Sequence, residues 1–216
     1  MRKFVSTSFI ILLLISSCST STLITYSWTN PETEAAKQYI FVAAITEDRA
    51  AKSTVEDQMA YELQALGIES TTSLSVFQPG MIKKDLDDKQ RELMLEKIRE
   101  EGCDGIITIT LLKESSEARY VPGSPHVMPA IRYGFYGGFN TYYNYYHPIV
   151  SSPGYYTQDK QYFLETNFYD PQTKDLLWTA QTETYNPTNL DSFAEEFTQV
   201  ILAKLKNEGL IDIDNN

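Results

Sequence analysis

Apolar residues follow two rhythms along this chain, and the rhythm changes near its middle. Tyr39-Ile40-Phe41-Val42-Ala43-Ala44-Ile45 is a continuous apolar run of strand length. Such a run suits a strand covered on both faces. Val55, Met59, Leu63 and Leu66 then recur at helical spacing, and Gly67 stops that helix. Residues 68–74 read as a second strand. Asp85-Leu86-Asp87-Asp88 opens a second helix, with Leu86, Leu93, Met94 and Ile98 on its inner side and Gly102 at its end. Residues 106–112 form a third strand, with Ile107, Ile109 and Leu111 on one face and Ile106, Thr108 and Thr110 on the other. Beyond it the pattern alternates. Residues 162–169 and 176–184 flank Asp170-Pro171-Gln172-Thr173-Lys174-Asp175, which reads as a hairpin turn. Leu190, Phe193, Phe197, Val200 and Ile201 make the apolar face of a last helix, with Thr188 and Asp191 as its capping box. The order β-α-β-α-β-β-β-α predicts the α/β class. It predicts a three-layer sandwich around a mixed five-stranded sheet, in which an antiparallel hairpin extends a parallel core. One domain over 37–213 accommodates it.

The first residues carry an address. Arg2 and Lys3 precede a short apolar stretch ending in Leu14-Ile15-Ser16-Ser17-Cys18. The stretch is far shorter than the about 20 apolar residues a membrane helix needs. Its end resembles a bacterial lipobox, in which the cysteine thiol receives a diacylglycerol and the chain is cut just before it. Residues 1–17 are therefore expected to be a signal peptide and Cys18 a lipid attachment site, with palmitate-type chains holding the protein to a membrane. Ser19 follows the cysteine, which by resemblance to Gram-negative sorting signals favours the outer membrane, facing the periplasm. Residues 18–36 read as a tether. Tyr26 and Trp28 within it are expected to dock on the body.

Charge narrows the partners. The chain carries 18 basic and 29 acidic residues, a net charge of −11. Removal of residues 1–17 takes Arg2 and Lys3 and leaves −13. A body this acidic disfavours nucleic acid and disfavours anionic lipid. The chain has 2 cysteines. With Cys18 acylated, Cys103 has no partner for a disulfide, and its setting at the entrance of an apolar strand suits a small buried hydrophobe.

No catalytic signature stands out, and no cofactor motif. Gly134, Gly137 and Gly138 lack the spacing of a phosphate loop. No metal site is expected: His126 and His147 have no further ligand at the required spacing, and Asp85, Asp87 and Asp88 lack the glycine and glutamate of a calcium loop. The unusual segment runs from Tyr133 to Tyr156 and holds 8 of the 15 tyrosines. It lies within an insertion loop, 119–158, long enough to be functional. Tyrosine rings with polar tips suit glycan or peptide contact. In open α/β sheets ligands gather at the carboxyl ends of the strands. The expected binding residues are therefore Asp48, Arg49, Arg119 and Tyr120, beneath Tyr142, Tyr143, Tyr145 and Tyr146. A solvated ion pair is the plainer role for both arginines.

Several short motifs occur in a specific order: Ser27-Trp28 with Pro31, Gly102-Cys103-Asp104-Gly105, and Arg119-Tyr120-Val121-Pro122-Gly123. The Tyr/Gly-rich loop follows, then Glu165-Thr166-Asn167-Phe168-Tyr169-Asp170 and Leu177-Trp178 with Thr182-Glu183-Thr184. This pattern resembles a family of bacterial envelope lipoproteins. It also looks like the small α/β domain of periplasmic assembly lipoproteins and of a periplasmic translocation protein. The resemblance implies envelope location and that fold, and brings no catalytic residues to carry over. The expected function is a membrane-anchored, non-enzymatic envelope lipoprotein that binds a protein partner or cell-wall glycan. The alternatives are a glycan-processing hydrolase using Glu165 and Glu183, and a structural spacer. Replacing Cys18 with Ala is expected to leave uncleaved or soluble protein. Fractionation at high salt checks this, and persistent membrane attachment of Cys18→Ala would refute a lipid tether.

Overall fold

A computed structural model describes residues 22–33, 36–77, 87–121 and 155–211. Its elements are β1 (Thr22–Thr29), β2 (Tyr39–Ile45), α1 (Arg49–Ala65), β3 (Glu69–Thr72), α2 (Ser73–Val76), α3 (Asp88–Glu100), β4 (Gly105–Val121), β5 (Tyr155–Tyr169), β6 (Leu176–Tyr185) and α4 (Leu190–Asn207). The chain divides into two compact units, 115–160 and the remainder.

In the larger unit the sheet order is β1-β6-β5-β4-β2-β3. β2 is parallel to both β3 and β4, while β6 is antiparallel to β5 and β1. The α/β class and mixed sheet match the sequence pattern, but the sheet has six strands rather than five. The sixth is β1, drawn from the segment read as a tether. Its period-2 pattern misleads because Leu23, Tyr26 and Trp28 lie on the outward side, Thr22 lies inward, and the irregularity after Ile24 breaks the count. Thr22 is buried and bonded to the Thr184 hydroxyl at 2.8 Å, and Ile24 packs on the core. The segment does pack on the body, although Tyr26 and Trp28 themselves stay 54% and 40% exposed. Backbone pairing with β6, interrupted by an irregularity between Ile24 and Tyr26, is what fixes the segment.

Alternation along β2 sorts its residues onto two layers. Ile40, Val42 and Ala44 join a core with Val55, Met59 and Leu63 of α1 and Phe193, Phe197 and Ile201 of α4. Phe41 faces the other way, with Val76 and Phe77 at α2, Ile98 of α3, and Ile106. Trp178 and Phe168 are the largest fully buried side chains. The Trp178 indole N–H and the hydroxyls of Thr166, Thr182 and Thr198 are buried without a partner among the described residues, a polar cost that the surrounding apolar packing must offset.

Other differences have local causes. The second strand is shorter than its apolar pattern, because Thr72 caps a turn of helix by accepting from the Ser75 N–H at 3.3 Å. Helix α3 starts at an Asp87–Gln90 capping box, and its Leu93 is exposed rather than inward. Asn189 with Ser192, not Thr188 with Asp191, caps α4. Strand β4 overruns its expected end. Its pairing with β2 stops at Ile45↔Thr110, and the next residue, Leu111, is 44% exposed instead of sharing the core with Ile107 and Ile109.

The Gly102-Cys103-Asp104-Gly105 motif explains itself mechanically. Gly102 takes φ +90 where α3 turns back, a region that L side chains rarely adopt. The Asp104 carboxylate accepts from the Tyr39 N–H at 2.8 Å and from the Gln38 N–H at 3.1 Å, fixing the start of β2. Gly105 leaves room for Phe168, whose ring would lie 2.7 Å from an added Cβ. Gly105→Ala is expected to cost about 1–3 kcal/mol by overpacking, read as a lowered denaturation midpoint. A variant as stable as the parent would show that the Phe168 ring relocates freely.

The hairpin turn is clamped from outside the sheet. Lys37 Nζ lies 2.6 Å from Asp170 Oδ2, with side-chain exposures of 15% and 16%. Asp170 also accepts from the N–H groups of Gln172 and Thr173. Burial would raise the Asp170 carboxyl, but the Lys37 and backbone hydrogen bonds and the Lys37 charge outweigh it and hold the group below its ordinary value. A depressed carboxylate stabilises the fold above its unfolded pKa of about 4, and that stability is lost as pH falls through the lower folded value. Asp170→Asn keeps acceptors for the turn and loses the ion pair. It is expected to cost about 1–3 kcal/mol at neutral pH. The gap between parent and variant should close in unfolding curves taken below about pH 4.

Candidate functional site

Two helices cover one sheet face through residues from all of β2, β4, β5 and β6. The opposite face is different. There α2 and α3 cover residues of β2 and β4, with Tyr169 at the end of β5. The antiparallel half has no described helix over it on that side. Register identifies its occupants. Leu23 pairs with Glu183, Tyr26 with Gln181, and Trp28 with Thr179, while Phe163 pairs with Glu183 and Glu165 with Gln181. Directly opposed residues share a face, so these side chains form one patch on β1, β6 and β5. Leu23 is 56% exposed, and Tyr185 joins it at 42%. The Lys113 ammonium lies 5.7 Å from the Phe163 ring centroid.

The patch contains both carboxylates of the hydrolase alternative. Glu165 and Glu183 are diagonal neighbours on the same face, with their backbones roughly 7–8 Å apart. Glu165 accepts from Asn167 Nδ2 at 3.1 Å and from Gln181 Nε2 at 3.4 Å. Glu183 is hydrogen-bonded to the Tyr185 hydroxyl, which raises the Tyr185 pKa above its ordinary value, burial and the Glu183 charge adding to it. Both carboxylates are thus engaged by neighbouring side chains of the sheet.

The expected binding residues fall in different units. Asp48 is the N-cap of α1, its Oδ1 accepting from the N–H groups of Ala50 at 2.9 Å and Ala51 at 3.1 Å. Arg49 is the first residue of that helix, is exposed, and has no ion-pair partner among the described residues. In the 115–160 unit, Arg119 Nε lies 2.9 Å from Asp159 Oδ2. Arg119 therefore pairs across two strands, with an acid other than Glu114. Tyr120 lies in β4, part of a strand rather than of a loop. Cys18, Tyr142, Tyr143, Tyr145, Tyr146, His126 and His147 lie outside the described residues.

The aromatic sheet patch was missed from the sequence because Tyr26 and Trp28 sat in an assumed tether. The signal was present in TLITYSWT, eight residues of strand-favouring type without a charge.

Cys103 is 2% exposed. Burial, then the charges of Glu101 and Asp104, push its thiol up to about 11. Because the thiolate is the reacting form, alkylation of native Cys18→Ala protein should run on the order of a hundred-fold slower than for a free thiol and recover on denaturation. Rapid labelling at neutral pH would contradict that burial.

No protein-family model matches the chain, and no curated protein matches it. Among solved structures it is similar to the PelC dodecamer from Paraburkholderia phytofirmans, with 15% identity and a TM-score of 0.45, over 85% of this chain and 96% of that one. It is also similar to lipoprotein GNA1162 from Neisseria meningitidis, with 8% identity and a TM-score of 0.41, over 79% and 99% of the two chains. Likenesses this shallow carry no argument about function, which rests on the residues of this chain.

Proposed function

We propose that this protein is a lipid-anchored, non-enzymatic envelope lipoprotein that holds a protein partner or cell-wall glycan. One observation carries the anchored part of the reading: β1 begins at Thr22, four positions after Cys18. The folded domain thus starts where the lipobox-like motif ends. No described helix is long and apolar enough to cross a membrane. The outer membrane, with the domain in the periplasm, is the proposed site. Partner binding is assigned to the tyrosine-rich segment, with Arg119, Tyr120, Tyr142, Tyr143, Tyr145 and Tyr146, and to Asp48 and Arg49. Aromatic rings with polar tips supply stacking and hydrogen bonding without catalysis.

Deleting residues 133–154, which stops short of β5, is expected to abolish co-sedimentation with isolated peptidoglycan, or capture of a membrane-solubilised partner, while leaving the thermal midpoint of the domain unchanged. Retained binding after the deletion would refute the assignment. A second reading, the glycan-processing hydrolase, is favoured by the shared face of Glu165 and Glu183. It requires that Glu165→Gln and Glu183→Gln each abolish cleavage of peptidoglycan by the parent protein. If the parent releases no fragments, that reading ends.

A further inference from the structure

The anchor and the exposed sheet patch meet on one strand. Four residue steps span at most about 14 Å, so β1 cannot stand far from a lipid on Cys18. Its outward side chains are Leu23, Tyr26 and Trp28, on the edge strand of the sheet. No charged residue occurs in β1, although the mature body carries a net charge of −13. We infer that β1 seats on the bilayer surface, with Leu23, Tyr26 and Trp28 entering the headgroup region of zwitterionic phospholipid. This inference rests on the anchored reading above and specifies how the anchored domain lies.

Tether length, residue type and strand order select the bilayer as occupant. First, the tether sets the distance. The headgroup layer is about 5–7 Å thick on each side, and the short connection confines the start of β1 to its neighbourhood. Second, the residue types fit. Tyrosine and tryptophan favour the membrane–water boundary, where an apolar ring and a polar tip are both satisfied. Third, the order of strands keeps the charges out. Neighbouring strands are about 4.8 Å apart, so Glu183 on β6 lies one strand inward and Glu165 on β5 lies two. Seating by the edge row leaves Glu165 in water and Glu183 at the rim. The same carboxylates disfavour anionic lipid, which makes zwitterionic lipid the partner.

The chain has 2 tryptophans. Trp178 is fully buried and Trp28 is 40% exposed, so Trp28 alone can report the contact. The experiment places full-length acylated protein in phosphatidylcholine vesicles and measures tryptophan emission with acyl chains brominated near the carbonyl end. Seating predicts a blue shift relative to the detergent-free Cys18→Ala protein, strong quenching by the brominated lipid, and protection from aqueous acrylamide. Trp28→Phe should remove the quenchable fraction and leave the Trp178 emission. Adding phosphatidylglycerol should reduce the quenching. Vesicle flotation at high salt is read in parallel. Protein that floats while Trp28 keeps its water-like emission and its acrylamide sensitivity overturns the seating and leaves the anchor intact. Protein that does not float overturns the anchor, and the seating with it.

Discussion

A six-stranded sheet has two faces to cover, and the described helices cover far more of one than of the other. That constraint organises the molecule. On one side α1 and α4 bury Trp178, Phe168 and Ile107 in a single core. On the other, α2 and α3 reach the parallel strands and stop near Tyr169. Covering a face stabilises the sheet by roughly 25 cal/mol per Å² of apolar surface removed from water. The half without a described helix over it must therefore mix polar residues among its aromatics. Gln181, Glu183 and Glu165 do so, and the row of Leu23, Tyr26 and Trp28 on the edge strand is the charge-free part of the patch.

The covered half depends on one buried charge. Glu56 is fully buried in α1. Its carboxylate accepts from the Ala44 N–H at 2.8 Å, the Ser73 hydroxyl at 2.7 Å and the Leu74 N–H at 3.2 Å, and it pairs with Lys52 at 2.9 Å. Lys52 also donates to the Ala44 carbonyl at 2.7 Å. A buried carboxylate without these partners would be strongly unfavourable. The set therefore locks the end of β2, the first turn of α2 and the middle of α1 into one arrangement. It also fills the place where β2 and β3 end, which in open α/β sheets is a common position for ligands.

Two motifs that look functional in one dimension are mechanical in three. Gly102 to Gly105 turn the chain, catch the start of β2 and make room for Phe168. The acidic and basic residues around the hairpin turn dock α3 onto it. Arg99 Nε donates to the Pro171 carbonyl at 2.7 Å, while Glu92 meets both Lys174 at 2.6 Å and Arg99 at 3.2 Å. The hydrogen bonds from Lys174 and Arg99 hold the Glu92 carboxyl below its ordinary value.

The apolar rhythm by itself determined β2, α1, β4, the β5–β6 hairpin and α4, because each buries a continuous or strictly periodic face. Tertiary structure decided the rest. β1 is a strand because β6 offers an open edge to its backbone, and side-chain pattern does not record backbone pairing. Leu111 is exposed because the pairing of β4 with β2 ends one residue before it, and Leu93 because α3 packs through Met94, Leu95 and Ile98 instead. Glu56 is buried because three segments converge on it, whereas its sequence neighbours read as an ordinary solvated helix face. The aromatic patch exists because register aligns Leu23, Tyr26 and Trp28 with Glu183, Gln181 and Thr179, and a shift of one residue would have turned all three into the core.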